Sequence, residues 1–172
     1  IEDCAVSLED LAEYTDRLTN VFTKYGTKGT WYAHASVGCL HVRPVVNLKV
    51  EDGAKTMRAI AEEAFEMVRE YKGSHSGEHG DGIVRSEFHR PMFGDRMVAN
   101  FEEVKDIFDP GGILNPGKIV HPPKFDDRSL LRFKPDYAPM KLDTALDWSE
   151  WGGLSGAVAV SYTHLRAHET PI

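Results

Sequence analysis

The sequence has 172 residues, enough for one ordinary domain with a real core. With 41% hydrophobic and 27% charged residues it reads as a globular protein rather than a disordered one. A formal net charge of −7, with no Lys/Arg run and no apolar run of spanning length, argues against nucleic acid, anionic membrane surfaces and a transmembrane segment.

Cys4 and Cys39 share no CxxC or zinc-finger spacing, and the N-terminus has no signal-peptide pattern. A reducing cytoplasm is the expected location, at most peripheral to the inner membrane. The chain opens on Ile1 inside what reads as a strand, so the expectation is a fragment. Ile1 to Val6 reads as an edge strand. Ser7 followed by Asp10 reads as an N-cap with an acidic first turn. Leu8, Leu11, Leu18, Val21, Phe22 and Tyr25 then recur at helical spacing up to Gly26, as a packing face.

Thr30 to Ser36 and Leu40 to Leu48 read as two strands joined by a bend at Gly38. His34 and His41 would lie about 23 Å apart, on opposite faces, in one uninterrupted strand. They meet only if the chain doubles back. Pro44 predicts an irregular start or an edge position for the second strand. Asp52 or Gly53 opens a helix buried through Met57, Ile60, Ala61, Ala64, Phe65 and Val68. Arg85 to Phe93 reads as irregular. The spacing predicts a last helix from Asp95 to Phe108, buried through Met97, Phe101, Val104 and Phe108 and stopped by Asp109-Pro110-Gly111-Gly112. From His121 onward the chain is Pro-rich and aperiodic.

The densest chemistry lies in Ser74-His75-Ser76-Gly77-Glu78-His79-Gly80-Asp81-Gly82, directly after the second helix. Glycines so grouped serve sharp turns or close approach rather than packing. With His34 and His41, the adjacent Glu78 and His79 make the candidate set. Two neutral imidazoles and a carboxylate suit a divalent transition ion with an open position. Neighbours such as Glu78 and His79 do not both reach one ion, so Glu78 is read as ligand and His79 as base or acid. By spacing alone, unrelated histidines beside a polar loop remain an equal alternative.

Three segments in order, Trp31 to Pro44 (WYAHASVGCLHVRP), Ser76 to Gly82 (SGEHGDG) and Phe108 to Ile119 (FDPGGILNPGKI), resemble the C-terminal domain of FAD-linked oxidases of the vanillyl-alcohol-oxidase type. That group includes the flavoprotein chain of glycolate oxidase, D-lactate dehydrogenase and D-2-hydroxyglutarate dehydrogenase. The wording is most similar to long bacterial forms fused to a four-iron ferredoxin-like domain. The resemblance implies an α+β fold, an antiparallel sheet with helices on one side. It implies a divalent metal, Zn or Mn, on His34, His41 and Glu78, with His79 taking the proton of a small 2-hydroxy acid substrate. FAD would be held mostly by a missing N-terminal domain, and electrons would leave through a 4Fe-4S centre to an acceptor. Arg43 is offered as a carboxylate contact, with a plain surface arginine as the alternative. Cys39 stands where many relatives have Asn. Asn115 and Lys118 are offered as FAD contacts, although NPG is equally a turn signal.

The expected organisation is an oxidase C-terminal domain over residues 1–123, then a linker over 124–159 leading to a missing iron–sulfur domain. The tail, 160–172, is set apart: Val160 to Thr170 resembles a translated transposase sequencing adapter, and His164 and His168 are discarded with it. A metal-dependent hydrolase using the same ligands, and a non-catalytic domain stapled by a metal, are the competing functions. The chain offers no good fourth protein ligand for the latter.

Overall fold

The computed structural model describes residues 2–158, in two compact units that divide between Pro135 and Asp136. In the first unit the elements run β1 (Cys4–Ala5), α1 (Leu11–Lys24), β2 (Gly29–His34), β3 (Cys39–Pro44), α2 (Gly53–Glu70), α3 (His89–Phe93) and α4 (Asp95–Phe108). The strands form an antiparallel sheet in the order β1-β3-β2.

Period-two alternation along β3 divides that sheet chemically. Leu40 and Val42 join the core with Tyr14, Leu18, Val21 and Phe22 of α1 and Ile60, Ala61, Ala64, Phe65 and Val68 of α2. Cys39, His41 and Arg43 take the other face. Helices therefore cover one side and leave the opposite side for chemistry, the α+β arrangement expected.

The β2–β3 connection is a 3-10 turn, Ala35–Val37, closed by Gly38 at φ 71°. A side chain at Gly38 would overlap the Val6 carbonyl oxygen, and Val6 N donates to Gly38 O at 3.1 Å. Glycine is needed there for both its left-handed backbone and its lack of a Cβ.

Several boundaries differ from the sequence reading. Ser7 Oγ donates to Asp10 Oδ2 at 2.7 Å, but α1 begins only at Leu11, so Leu8 sits in the preceding turn, 58% exposed. Pro44 closes the central strand instead of opening an edge strand; it pairs with Gly29 at the last rung, where a missing donor interrupts nothing further. Arg85 to Phe93 is ordered as a 3-10 turn, Ser86–Phe88, leading into α3.

The bounds of α4 match expectation, but its face does not. Val98 is buried, whereas Met97, Val104 and Phe108 are exposed, Phe108 by 81%. Periodicity identifies an apolar stripe without identifying what packs on it.

The first unit continues past Pro123, where the linker was expected to start. Phe125 N donates to Glu87 Oε2 and Arg58 Nη1 donates to Asp126 Oδ1, at 2.6 and 2.7 Å. In the second unit a 3-10 turn, Ser149–Trp151, follows Asp147, whose Oδ1 accepts from Ser149 N at 2.9 Å; residues 154–158 are helical. The adapter-like segment, with His164 and His168, lies outside the described residues. Among the described residues, no helix is long and apolar enough to cross a membrane.

Candidate metal centre and active site

Register, rather than sequence distance, brings the two strand histidines together. His34 pairs with Cys39 and His41 pairs with Tyr32, so His34 and His41 are diagonal neighbours on one face. Their ring centroids are 5.2 Å apart, and the Tyr32 ring packs against both, at 5.8 and 5.7 Å. His41 is 3% exposed, and its Nδ1 lies 3.1 Å from Glu2 O. A carbonyl can only accept, so Nδ1 carries a proton, and the ring in its neutral form presents a bare Nε2.

The glycine-rich loop is pinned across the sheet edge. Ala5 and Ser74 exchange backbone hydrogen bonds at 2.8 and 2.9 Å. Beyond them, fully buried Asp3 accepts from His79 N at 2.9 Å and from Glu78 N at 3.1 Å, while Gly77 N donates to Asp3 O at 2.6 Å. A Cβ on Gly77 would stand 2.6 Å from Cys39 Sγ, so this close approach requires glycine. Burial works to raise the Asp3 carboxyl, but the His79 and Glu78 amides and the Arg85 charge outweigh it and hold it below its usual range. Burial, with Asp3 and Glu78 nearby, pushes the Cys39 thiol up to about 11.

The result is convergence on one oxygen. Glu78 Oε1 lies 2.8 Å from His41 Nε2, 3.2 Å from His34 Nε2 and 3.4 Å from His79 Nε2. The His79 ring stacks on His41 at 4.5 Å between centroids. With its proton on Nδ1, His41 Nε2 has no hydrogen-bond partner and faces another acceptor. A buried bare nitrogen directed at a carboxylate is satisfied by a shared cation. Two imidazoles and a carboxylate fit a divalent transition ion, and the His41 Nδ1 bond to a backbone carbonyl is the outer support that metal-bound histidines ordinarily have. His34, Glu78 and His79 are each 43–46% exposed at the side chain, so the set opens to solvent on one side.

The other expected contacts are dispersed. Arg43 shares the sheet face of His41, but its Nε and Nη2 both donate to Glu2 Oε1, at 3.0 and 2.7 Å, so a substrate carboxylate would compete with Glu2. Lys118 Nζ donates to Asn115 Oδ1 at 3.1 Å. Both line a groove of about 560 Å³ with Phe101, Val104 and Phe108, a groove to which none of the four central residues contributes. Asp3 was missed by sequence reasoning. It precedes a two-residue strand, and nothing in its spacing to residues 76–79 marks it as their anchor.

Comparison with known proteins follows the same lines. The family described as "FAD linked oxidases, C-terminal domain" matches residues 1–119. D-2-hydroxyglutarate dehydrogenase of Haemophilus influenzae is 34% identical over 122 residues, 71% of this chain and 12% of the relative. Its counterpart in Pseudomonas putida is 36% identical over the same shares. D-lactate dehydrogenase of Archaeoglobus fulgidus is 31% identical over 118 residues, 69% of this chain and 26% of the relative. The chain thus spans about an eighth of the length of the D-2-hydroxyglutarate dehydrogenases it matches.

Proposed function

This chain belongs to the family of FAD-linked oxidase C-terminal domains, and from that premise we propose that it is the substrate- and metal-binding part of a flavin-dependent D-2-hydroxyacid dehydrogenase. The observation that carries this reading is the convergence of three imidazole Nε2 atoms on Glu78 Oε1, on a half-open sheet face.

His34, His41 and Glu78 would hold a zinc or manganese ion, which supplies charge stabilisation to an oxygen giving up its proton, while FAD supplies the acceptor for the hydride from the substrate Cα. His79 acts as the base. Its Nδ1 faces Asp3 Oδ1 at 3.6 Å, so an ionised Asp3 favours the proton on Nδ1 and leaves Nε2 to take the hydroxyl proton. Stacking on His41 and the backbone bond to Asp3 fix where that nitrogen points. Arg43 stands near enough along β3 to exchange Glu2 for a substrate carboxylate. D-2-hydroxyglutarate and D-lactate are the candidate acids, and the relatives with those activities, at 31–36% identity, support both.

The test uses the complete enzyme that carries this chain, purified with its flavin. Without oxygen, one of the two D-acids should bleach the flavin band, and chelation should abolish the bleaching. His79→Ala should slow it by roughly 10²–10⁴-fold, the usual contribution of a positioned base. A colourless protein, or bleaching indifferent to both changes, overturns the reading.

A further inference from the structure

We propose that His75, Asp81 and His89 form a second divalent transition-metal site, separate from the set around Glu78, that staples the two ends of the Glu78-His79 loop to α3. The three side chains offer ligand atoms that all lie within 4.8 Å of one another. His75 is fully buried, His89 is 2% exposed and the Asp81 side chain 15%. Asp81 stands between the rings, with Oδ1 3.2 Å from His75 Nε2 and Oδ2 2.9 Å from His89 Nε2.

The proton positions carry the argument. His89 Nδ1 lies 3.1 Å from Ile119 O, so Nδ1 carries a proton, and in the neutral form of the ring Nε2 is bare. That bare nitrogen faces a carboxylate oxygen. Neither ring nitrogen of His75, nor His89 Nε2, nor Asp81 Oδ1 has a hydrogen-bond partner, because the atoms are close but not aligned for donation. Several buried atoms that fail to bond each other, yet converge, share a point that a cation satisfies at once.

Aromatic side chains wall the cluster. Phe65 and Phe93 pack on His75 at 5.4 and 5.8 Å, and Phe93 and Phe101 pack on His89 at 5.3 and 6.3 Å. The one cation beside the cluster among the described residues, Arg85, has its Nε 3.6 Å from Asp81 Oδ1 without a hydrogen bond, and its Nη2 donates to Gly80 O.

His89 repeats the pattern of His41. In each, Nδ1 is tied to a backbone carbonyl and Nε2 faces a carboxylate at 2.8–2.9 Å. Such a bond is the support that orients metal-bound histidines. The location gives the site a role, since His75 and Asp81 flank Ser76 to Gly80 and a shared ion would close that loop against α3.

Zinc stoichiometry of the full 172-residue chain tests this. The chain is stripped with chelator, equilibrated with excess Zn²⁺, desalted and assayed by atomic emission, with folding checked by circular dichroism. The expected count is two per chain, falling to one in His89→Gln, one in Asp81→Asn and one in His41→Gln. One zinc kept by His89→Gln and lost by His41→Gln overturns the second site and leaves the first. One zinc lost by His89→Gln and kept by His41→Gln supports the second site and overturns the first. If the variants at this cluster do not fold, nitrogen NMR of the His41→Gln chain decides: zinc should shift the Nε2 signals of His75 and His89. Signals unchanged by zinc, with both His89 nitrogens protonated, overturn the proposal.

Discussion

Asp3 shows how one buried carboxylate, whose oxygens lie within reach of His41, Glu78 and Cys39, can organise a site. Its oxygens accept from two consecutive amides, Glu78 N and His79 N, and so determine where a ligand and its neighbouring base emerge from the loop. Asparagine at this position keeps the volume but removes the charge, and its amide nitrogen, in the place of either oxygen, takes away at least one bond accepted from Glu78 N and, in the place of Oδ2, the bond from His79 N as well. Leaving a buried N–H unpaired costs about 1–3 kcal/mol. Asp3→Asn is therefore expected to destabilise the chain by that amount in urea denaturation and to weaken zinc binding at the first site. A variant with unchanged stability and zinc affinity would remove Asp3 from this role.

At the scale of elements, the hairpin does the positioning. A strand pair slipped by one residue would send His34 or His41 to the core face, where Leu40 and Val42 pack. Gly38 guards the register, since its φ of 71° and its contact with Val6 O both exclude a side chain. Gly38→Ala should destabilise the chain by more than about 1 kcal/mol and separate His34 from His41. Loss of one zinc in the stoichiometry assay, together with a lowered melting temperature, is the expected result; a variant that still holds its full zinc would show that the bend tolerates a Cβ. Much of this was legible in the sequence. Gly38 marks the bend, and Glu78-His79 amid glycines marks the loop. Asp3 and the His75–Asp81–His89 cluster were not, because their partners are set by tertiary pairing: Ala5 with Ser74, and Ile119 O with His89. The exposed face of α4 went unread for a related reason: periodicity reports that a helix is amphipathic, not which surface meets it.

Across the whole first unit, distant segments are joined by charge as well as by the apolar core. Arg58 on α2 donates through both Nη atoms to Glu87, at 3.0 and 2.9 Å, and to Asp126 at 2.7 Å, while Lys124 Nζ and Phe125 N also donate to Glu87. Burial acts to raise the Glu87 carboxyl, yet the Arg58, Phe125 and Lys124 bonds outweigh it and hold the group down at about 2, against an ordinary 4.5. A depressed carboxyl binds its proton more readily in the unfolded chain. It therefore stabilises the fold fully above about pH 4.5, and that stability is lost as pH falls toward 2. Its size is on the order of 3 kcal/mol, since the side chain is 14% exposed and little screened. Asp3 is lowered as well, so the wild-type chain should unfold in acid through more than one carboxylate. Glu87→Gln isolates one of them. Urea denaturation at pH 7, 4 and 3 should find the variant less stable than wild type at neutral pH, with the gap narrowing steadily toward pH 2. A gap that stays constant with pH would mean that Glu87 acts through packing, and that the Arg58 network does not hold the unit together by charge.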